Sequence, residues 1–108
     1  MKFAETYSLA MEPLANAEVR RLKSAAQRLN ATLKMGKAGL SAPFLAALDQ
    51  ELARHELVKL KFDDHKDERK EMSKEIAEKT SSHLIWIVGH VAVFYRKRPA
   101  TAEDGDSA

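Results

Sequence analysis

The chain has 108 residues, no cysteine, 44% hydrophobic residues and a formal charge of +2. That is enough apolar material for one domain with one core, and the missing thiols exclude disulfides, zinc–thiolate sites and cysteine nucleophiles. No apolar run reaches the length of a membrane span. Met1-Lys2-Phe3-Ala4-Glu5-Thr6-Tyr7 has neither a signal-peptide hydrophobic region nor an Arg-rich amphipathic pattern, so the expected location is the cytoplasm.

In chain order, residues 1–13 and the small, acidic stretch 99–108 read as flexible ends around a domain at 14–98. From Asn16, taken as an N-cap, Val19, Leu22, Ala26 and Leu29 recur at helical spacing, with Arg20, Arg21, Lys23 and Arg28 between them, which predicts a first helix with a basic exposed surface. Leu29 to Met35 follows as a strand. Gly36-Lys37-Ala38-Gly39 then forms a loop, and Ser41 with Pro43 opens a second helix carrying Phe44, Leu45, Leu48 and Leu52 on one stripe and ending near His55.

Leu57 to Phe62 alternates partly, with Lys59 and Lys61 on one face and Val58, Leu60 and Phe62 on the other, as a half-buried strand does. The segment from Asp63 to Glu78 holds seven acids against four bases and opens a third helix with a thin buried stripe of Met72, Ile76, Ala77 and Thr80, and with Glu75 and Lys79 spaced for an i,i+4 pair. His83 to Val88 and Val91 to Lys97 read as two strands joined at Gly89-His90 by a type II′ turn. The order α-β-α-β-α-β-β predicts a two-layer α/β (α+β) domain with a mixed four-stranded sheet.

A G-x-x-G tetrad is weak evidence alone, since average glycine usage of about 7% yields roughly 0.5 per chain of this size by chance. Its position is more informative. Two glycines can adopt φ > 0 and bring backbone N–H groups close to a ligand, and a helix N-terminus directly behind them favours an anion, above all phosphate. The charge is also uneven: with both ends and the acidic segment set aside, the remaining chain is strongly basic. Such asymmetry suggests one polyanion-facing side and an opposite acidic side.

Three words in order carry a resemblance: Leu33-Lys34-Met35-Gly36-Lys37-Ala38-Gly39-Leu40, His55-Glu56-Leu57-Val58-Lys59-Leu60-Lys61 and Val88-Gly89-His90-Val91-Ala92-Val93-Phe94-Tyr95-Arg96. Across about residues 14–98 the chain resembles the CRM domain (chloroplast RNA splicing and ribosome maturation) family in its bacterial single-domain, YhbY-like form. The resemblance implies a layout similar to the C-terminal domain of bacterial initiation factor three. It also implies an RNA-binding module whose glycine loop works like that of KH domains, with ribosomal RNA in precursors of the large (50S) subunit as the associated target in bacteria. The chain departs from the pattern at Leu29-Asn30-Ala31, where many members have proline, and in the extension at residues 1–13.

On this reading Gly36 and Gly39 allow backbone approach, Ala38 keeps the tip small, Lys37 contacts phosphate and Lys34 stands close behind. Arg20, Arg21 and Arg28 extend the basic surface, and Arg96 is added from its place in the third word of the resemblance. Whether Lys59 and Lys61 join the same surface depends on the strand order. Trp86 and Tyr95 are of a type that stacks on bases, with core packing the expectation for Trp86. His55, His65, His83 and His90 are scattered, no nucleophile elbow is present, and Asp63-Asp64-His65 with Asp67 reads as capping and solvation, so neither catalysis, metal nor cofactor is expected. The leading expectation is a monomeric, non-enzymatic RNA-binding protein of ribosome assembly. The competing one is a protein-interaction module in which the acidic third helix and the apolar terminal hairpin meet a partner.

Overall fold

The computed structural model of the chain describes residues 14–97. The expectations for residues 1–13 and 99–108 therefore lie outside the described residues. The elements are helix α1 (Asn16–Gln27), strand β1 (Leu33–Met35), α2 (Ala42–His55), β2 (Leu57–Phe62), a 3-10 turn at Lys66–Glu68, α3 (Arg69–Lys79), β3 (His83–Val88) and β4 (Val91–Tyr95). The predicted element order is present.

Several boundaries differ, each for a local reason. Ala15, not Asn16, is the N-cap of α1, and no side chain caps it. Leu29 falls past the end of α1 and is 40% exposed. The first strand is only three residues long, because residues 30–32 run outside the ladder apart from the Thr32 N–H, which donates to Lys59 O at 3.2 Å. At α2 the prediction holds: Ser41 Oγ accepts from Phe44 N–H at 3.2 Å, and Pro43 sits in the first turn. The Glu75–Lys79 pair forms at 3.7 Å. Gly89 has φ +59 while His90 keeps an ordinary φ, as a II′ turn requires.

The sheet order is β1-β2-β4-β3. Strand β1 runs parallel to β2 with Leu33 opposite Leu60, Lys34 opposite Lys61 and Met35 opposite Phe62. Strand β4 is antiparallel to both β2 and β3 and lies between them. The α3 crossover thus carries the chain past one strand position, and the hairpin turns back to fill it.

Side-chain alternation divides the apolar residues between two cores. Val58, Leu60, Phe62, Ala92 and Phe94 face α2 and α3, meeting Leu48, Leu52 and Ile76. Val93 and Tyr95 face α1 and meet Leu22 and Ala26. Helices therefore stand on both faces of the sheet, which makes three layers where two were expected and two clusters where one core was expected. Helix α3 itself carries four bases against three acids, the expected acidity lying ahead of it at 63–68, and its thin stripe assigns it a face, whereas nothing in the sequence of α1 says that its partner is the reverse side.

The β3–β4 register shifts between Leu84 and Trp86, so that Ile85 and Trp86 both oppose Val93. This bulge turns Trp86 onto the α1 face, where strict alternation from Leu84 would have sent it to the other.

Leu52 is fully buried between α2 and the sheet. Leu52→Ala is expected to destabilise the domain by about 2–5 kcal/mol, read as a lower urea midpoint at unchanged slope.

Candidate functional site

Three loops gather at one end of the sheet. Because β1 and β2 are parallel, both deliver their C-terminal ends there, and the hairpin turn joins them: Phe62 N–H donates to His90 O at 2.8 Å. The N–H groups of Asp63 and Asp64 both donate to Met35 O at 3.0 Å, which closes the end of β1 immediately before the glycine loop.

The loop itself is a tight turn in which Gly39 N–H donates to Gly36 O at 3.1 Å. Its two glycines do different work. Gly39 has φ +66 and is buried, with His65 Nε2 3.4 Å and Met72 Cε 3.6 Å from where a Cβ would stand. Gly36 does not have a positive φ, and a Cβ there would meet nothing within 4 Å. The expectation that both glycines serve φ > 0 is corrected at Gly36, whose backbone any residue could adopt. Lys37 and Ala38 form the exposed tip, and among the described residues their N–H groups donate to no protein acceptor.

His65 holds the tip from the side. Its Nε2 lies 3.0 Å from Lys37 O, and since a carbonyl only accepts, Nε2–H is the donor. His65 itself has φ +57, and its backbone N–H donates to Asp64 Oδ1 at 2.7 Å. The start of the acidic segment therefore abuts the glycine loop, and the expected separation of an acidic side opposite a polyanion-facing side is corrected here. Asp63, Asp64, Asp67 and Glu68 lie beside the loop; α3, which follows them, packs on the α2 side of the sheet.

The basic counterpart stands on the other face. The β1–β2 register sets Lys34 beside Lys61 on the α1 side, and both are exposed with no ion pair among the described residues. Lys59 is on the same face, its Nζ donating to Leu29 O at 2.9 Å. That bond ties the chain leaving α1 to the middle of β2, with exposed Arg28 one residue before it. Arg20 is exposed on α1.

Two of the predicted residues are engaged elsewhere. Arg21 pairs with Glu18, which raises its pKa, and it lies near Tyr95 and Glu56, at the sheet end away from the loop. Arg96 follows β4 at that same far end. Its Nη1 donates to Asp49 Oδ1 at 2.6 Å and to Thr80 O at 2.8 Å, and its Nη2 to Asp49 O at 3.0 Å, so it clamps α2 to the end of α3. Residue parity puts Arg96 on the α2/α3 face, and this is the physical reason that it does not share a surface with Lys34 and Lys61.

Tyr95 is buried, and burial pushes its phenol above the usual value near 10. Trp86 packs on the edge of the α1-side core, as expected, yet stays half-exposed, with Lys23 Nζ 5.3 Å from its ring centroid. Sequence reasoning missed the His65 latch, because nothing in the acidic run marks its histidine as facing a loop 28 residues earlier. It left open the Lys34–Lys61 pairing, which only a register can decide.

A family model described as the CRS1 / YhbY (CRM) domain matches residues 14–96. A protein of Pseudomonas aeruginosa named "Probable RNA-binding protein PA4753" is 31% identical over 87 residues, covering 80% of this chain and 84% of its own. A Haemophilus influenzae protein named as an RNA-binding protein is also 31% identical over 87 residues, covering 80% and 88%. The solution structure of the hypothetical protein SAV1595 from Staphylococcus aureus superposes with a TM-score of 0.70 at 27% identity, covering 84% of this chain and 96% of that one.

The unequal roles of the glycines give a direct test of the loop geometry. Gly39→Ala should cost about 1–2 kcal/mol of stability through its left-handed backbone, while Gly36→Ala should stay within about 0.5 kcal/mol of wild type in the same urea titrations.

Proposed function

The chain belongs to the CRS1 / YhbY (CRM) domain family, and from that premise we propose that it is a non-enzymatic RNA-binding protein that holds the RNA backbone at the Gly36–Gly39 loop. The observation that carries this reading is Gly36. Neither strain nor a neighbour within the fold calls for a glycine at that position, and the bare backbone there leaves room for a ligand to approach the tip. A phosphate drawn close to the tip meets the unpartnered N–H groups of Lys37 and Ala38 and the Lys37 ammonium, much as KH loops clamp a nucleic-acid backbone.

The electrostatics give the approach a direction. The acids of 63–68 repel phosphate on the α3 side of the loop, whereas Lys34 and Lys61 attract it on the α1 side. Relatives named as RNA-binding proteins support RNA as the ligand class. A structured ribosomal RNA, met on a precursor of the large subunit by a monomeric protein in the cytoplasm, is the setting the family resemblance favours. Among the described residues no helix is long and apolar enough to cross a membrane.

The rival reading, docking of a protein through the apolar terminal hairpin, has little surface to use. Leu84, Ile87, Ala92 and Phe94 are consumed by one core and Ile85, Val93 and Tyr95 by the other, leaving Val88, 49% exposed, and the partly buried Val91 and Trp86, which border the exposed Lys61 and the Lys59 side chain.

Two substitutions test the proposal. Gly36→Asp should leave the circular dichroism spectrum and unfolding midpoint unchanged and reduce RNA affinity by more than tenfold, because a carboxylate then occupies the phosphate approach. Lys37→Ala should weaken binding to many RNA sequences alike and lower the slope of log affinity against log salt by about 0.7, one phosphate contact on a single strand. Unaltered affinity in a folded Gly36→Asp protein removes the loop from the mechanism.

A further inference from the structure

The proposed loop contact leaves open where the RNA strand goes next. The floor beyond the loop on the α1 side is made by a row across the sheet, Lys34 of β1, Lys61 of β2, Val91 of β4 and Val88 of β3, fixed by the register of each pair. Helix α1 does not close this end. Its buried residues Leu22 and Ala26 sit over Val93, Tyr95 and Ile85, and its last turn borders a notch lined by Ala26, Gln27, Lys59, Trp86, Val88 and Val93.

The notch has a volume of about 190 Å³. Pockets for drug-sized ligands run from about 300 to 1,000 Å³. This one is therefore sized for a single flat group. Its wall is the partly buried indole of Trp86, turned onto this face by the β3 bulge, with the flexible Lys23 side chain, whose Nζ lies 5.3 Å from the ring centroid, as the group a stacking base must displace. Its chemistry is an aromatic face, aliphatic floor and lysine rim, and none of the strand residues on this face is acidic. From Lys34 to Val88 the row crosses three strand spacings, about 14 Å, and Trp86 lies two residues further back along β3.

We infer that the open half of this sheet face is a second RNA contact, in which a nucleobase of a single-stranded segment stacks on Trp86 while Lys61 and Lys34 hold the phosphates between that base and the glycine loop. The inference rests on the RNA-binding reading above and adds to it a ligand class, single-stranded rather than duplex RNA, since a paired base cannot reach a notch of this size. Charge selects the occupant: a row with two unpaired lysines leading to an aromatic ring suits a strand of alternating phosphates and bases. On the α3 side the loop is met instead by residues 63–68, four acids against the single base Lys66, which disfavours a polyanion there.

Trp86 is the single tryptophan of the chain, so its own emission reports the notch. A fluorescein-labelled, twelve-nucleotide single-stranded RNA of mixed sequence is titrated into the full chain, with label anisotropy followed in one experiment and indole fluorescence, using unlabelled RNA, in another. Indole emission should be quenched with the same midpoint as the anisotropy rise, and a perfectly paired duplex of the same sequence should leave it unchanged. Trp86→Leu should lose at least about fivefold in affinity for the single strand. Should that variant fold poorly by circular dichroism, exposed Lys61→Gln provides the second reading, with weaker binding and a salt slope lowered by about 0.7. An anisotropy rise with steady indole emission and normal binding by Lys61→Gln overturns the inference while leaving RNA binding intact. No anisotropy rise with any RNA overturns the RNA-binding reading, and the inference with it.

Discussion

The site depends on the pairing of a three-residue strand. Strand β1 has only Leu33, Lys34 and Met35 to hold it against β2, and its end is closed by two N–H groups, those of Asp63 and Asp64, converging on the single carbonyl of Met35. That junction fixes the glycine loop, the acidic turn and the hairpin turn at one end of the sheet. It also sets the parity of every residue nearby: Met35 and Phe62 go down into the α2/α3 core, and Lys34 and Lys61 come up together on the other face. A slip of β1 by one residue would bury Lys34 and expose Met35, whereas β2 is held by β4, so the burial of Met35 is what keeps Lys34 beside Lys61.

From this follows a loop with unlike flanks. Asp63 to Glu68 lie on one side, bound to the loop through the His65–Lys37 hydrogen bond, and an unpaired basic row lies on the other. At the proposed phosphate contact these acids would lower affinity, but they would also make the approach one-sided, which gives direction beyond what charge alone supplies. The two glycines divide the work in the same spirit: Gly39 lets the turn close against His65 and Met72, and Gly36 leaves the outer surface bare.

Much of this was legible in the sequence where the signal is local. The Ser41 cap, the Lys59/Lys61 alternation, the Glu75–Lys79 pair and the Gly89 turn each follow from chemistry within a few residues, and the structure has them all. What was not legible depends on partners distant in the chain. Arg96 reads as one more surface cation until parity sends it to Asp49 and Thr80. The side of the sheet that α1 covers, the bulge that rotates Trp86 and the contact of His65 with a loop 28 residues earlier are products of register and packing, to which no spacing in the sequence corresponds.

On the proposed reading, RNA is held at one end and one face of this sheet. Amide chemical-shift mapping of the isotope-labelled chain during titration with single-stranded RNA tests it most directly, since every described residue except Pro43 reports its own surroundings. The account predicts that the largest shifts fall on Gly36, Lys37 and Ala38 and extend to Lys34, Lys61 and the Trp86 indole, while Asp49, Lys79 and Arg96 at the opposite face and end stay still. Shifts concentrated on α2 and α3, with the glycine tip unmoved in a saturated complex, would contradict it.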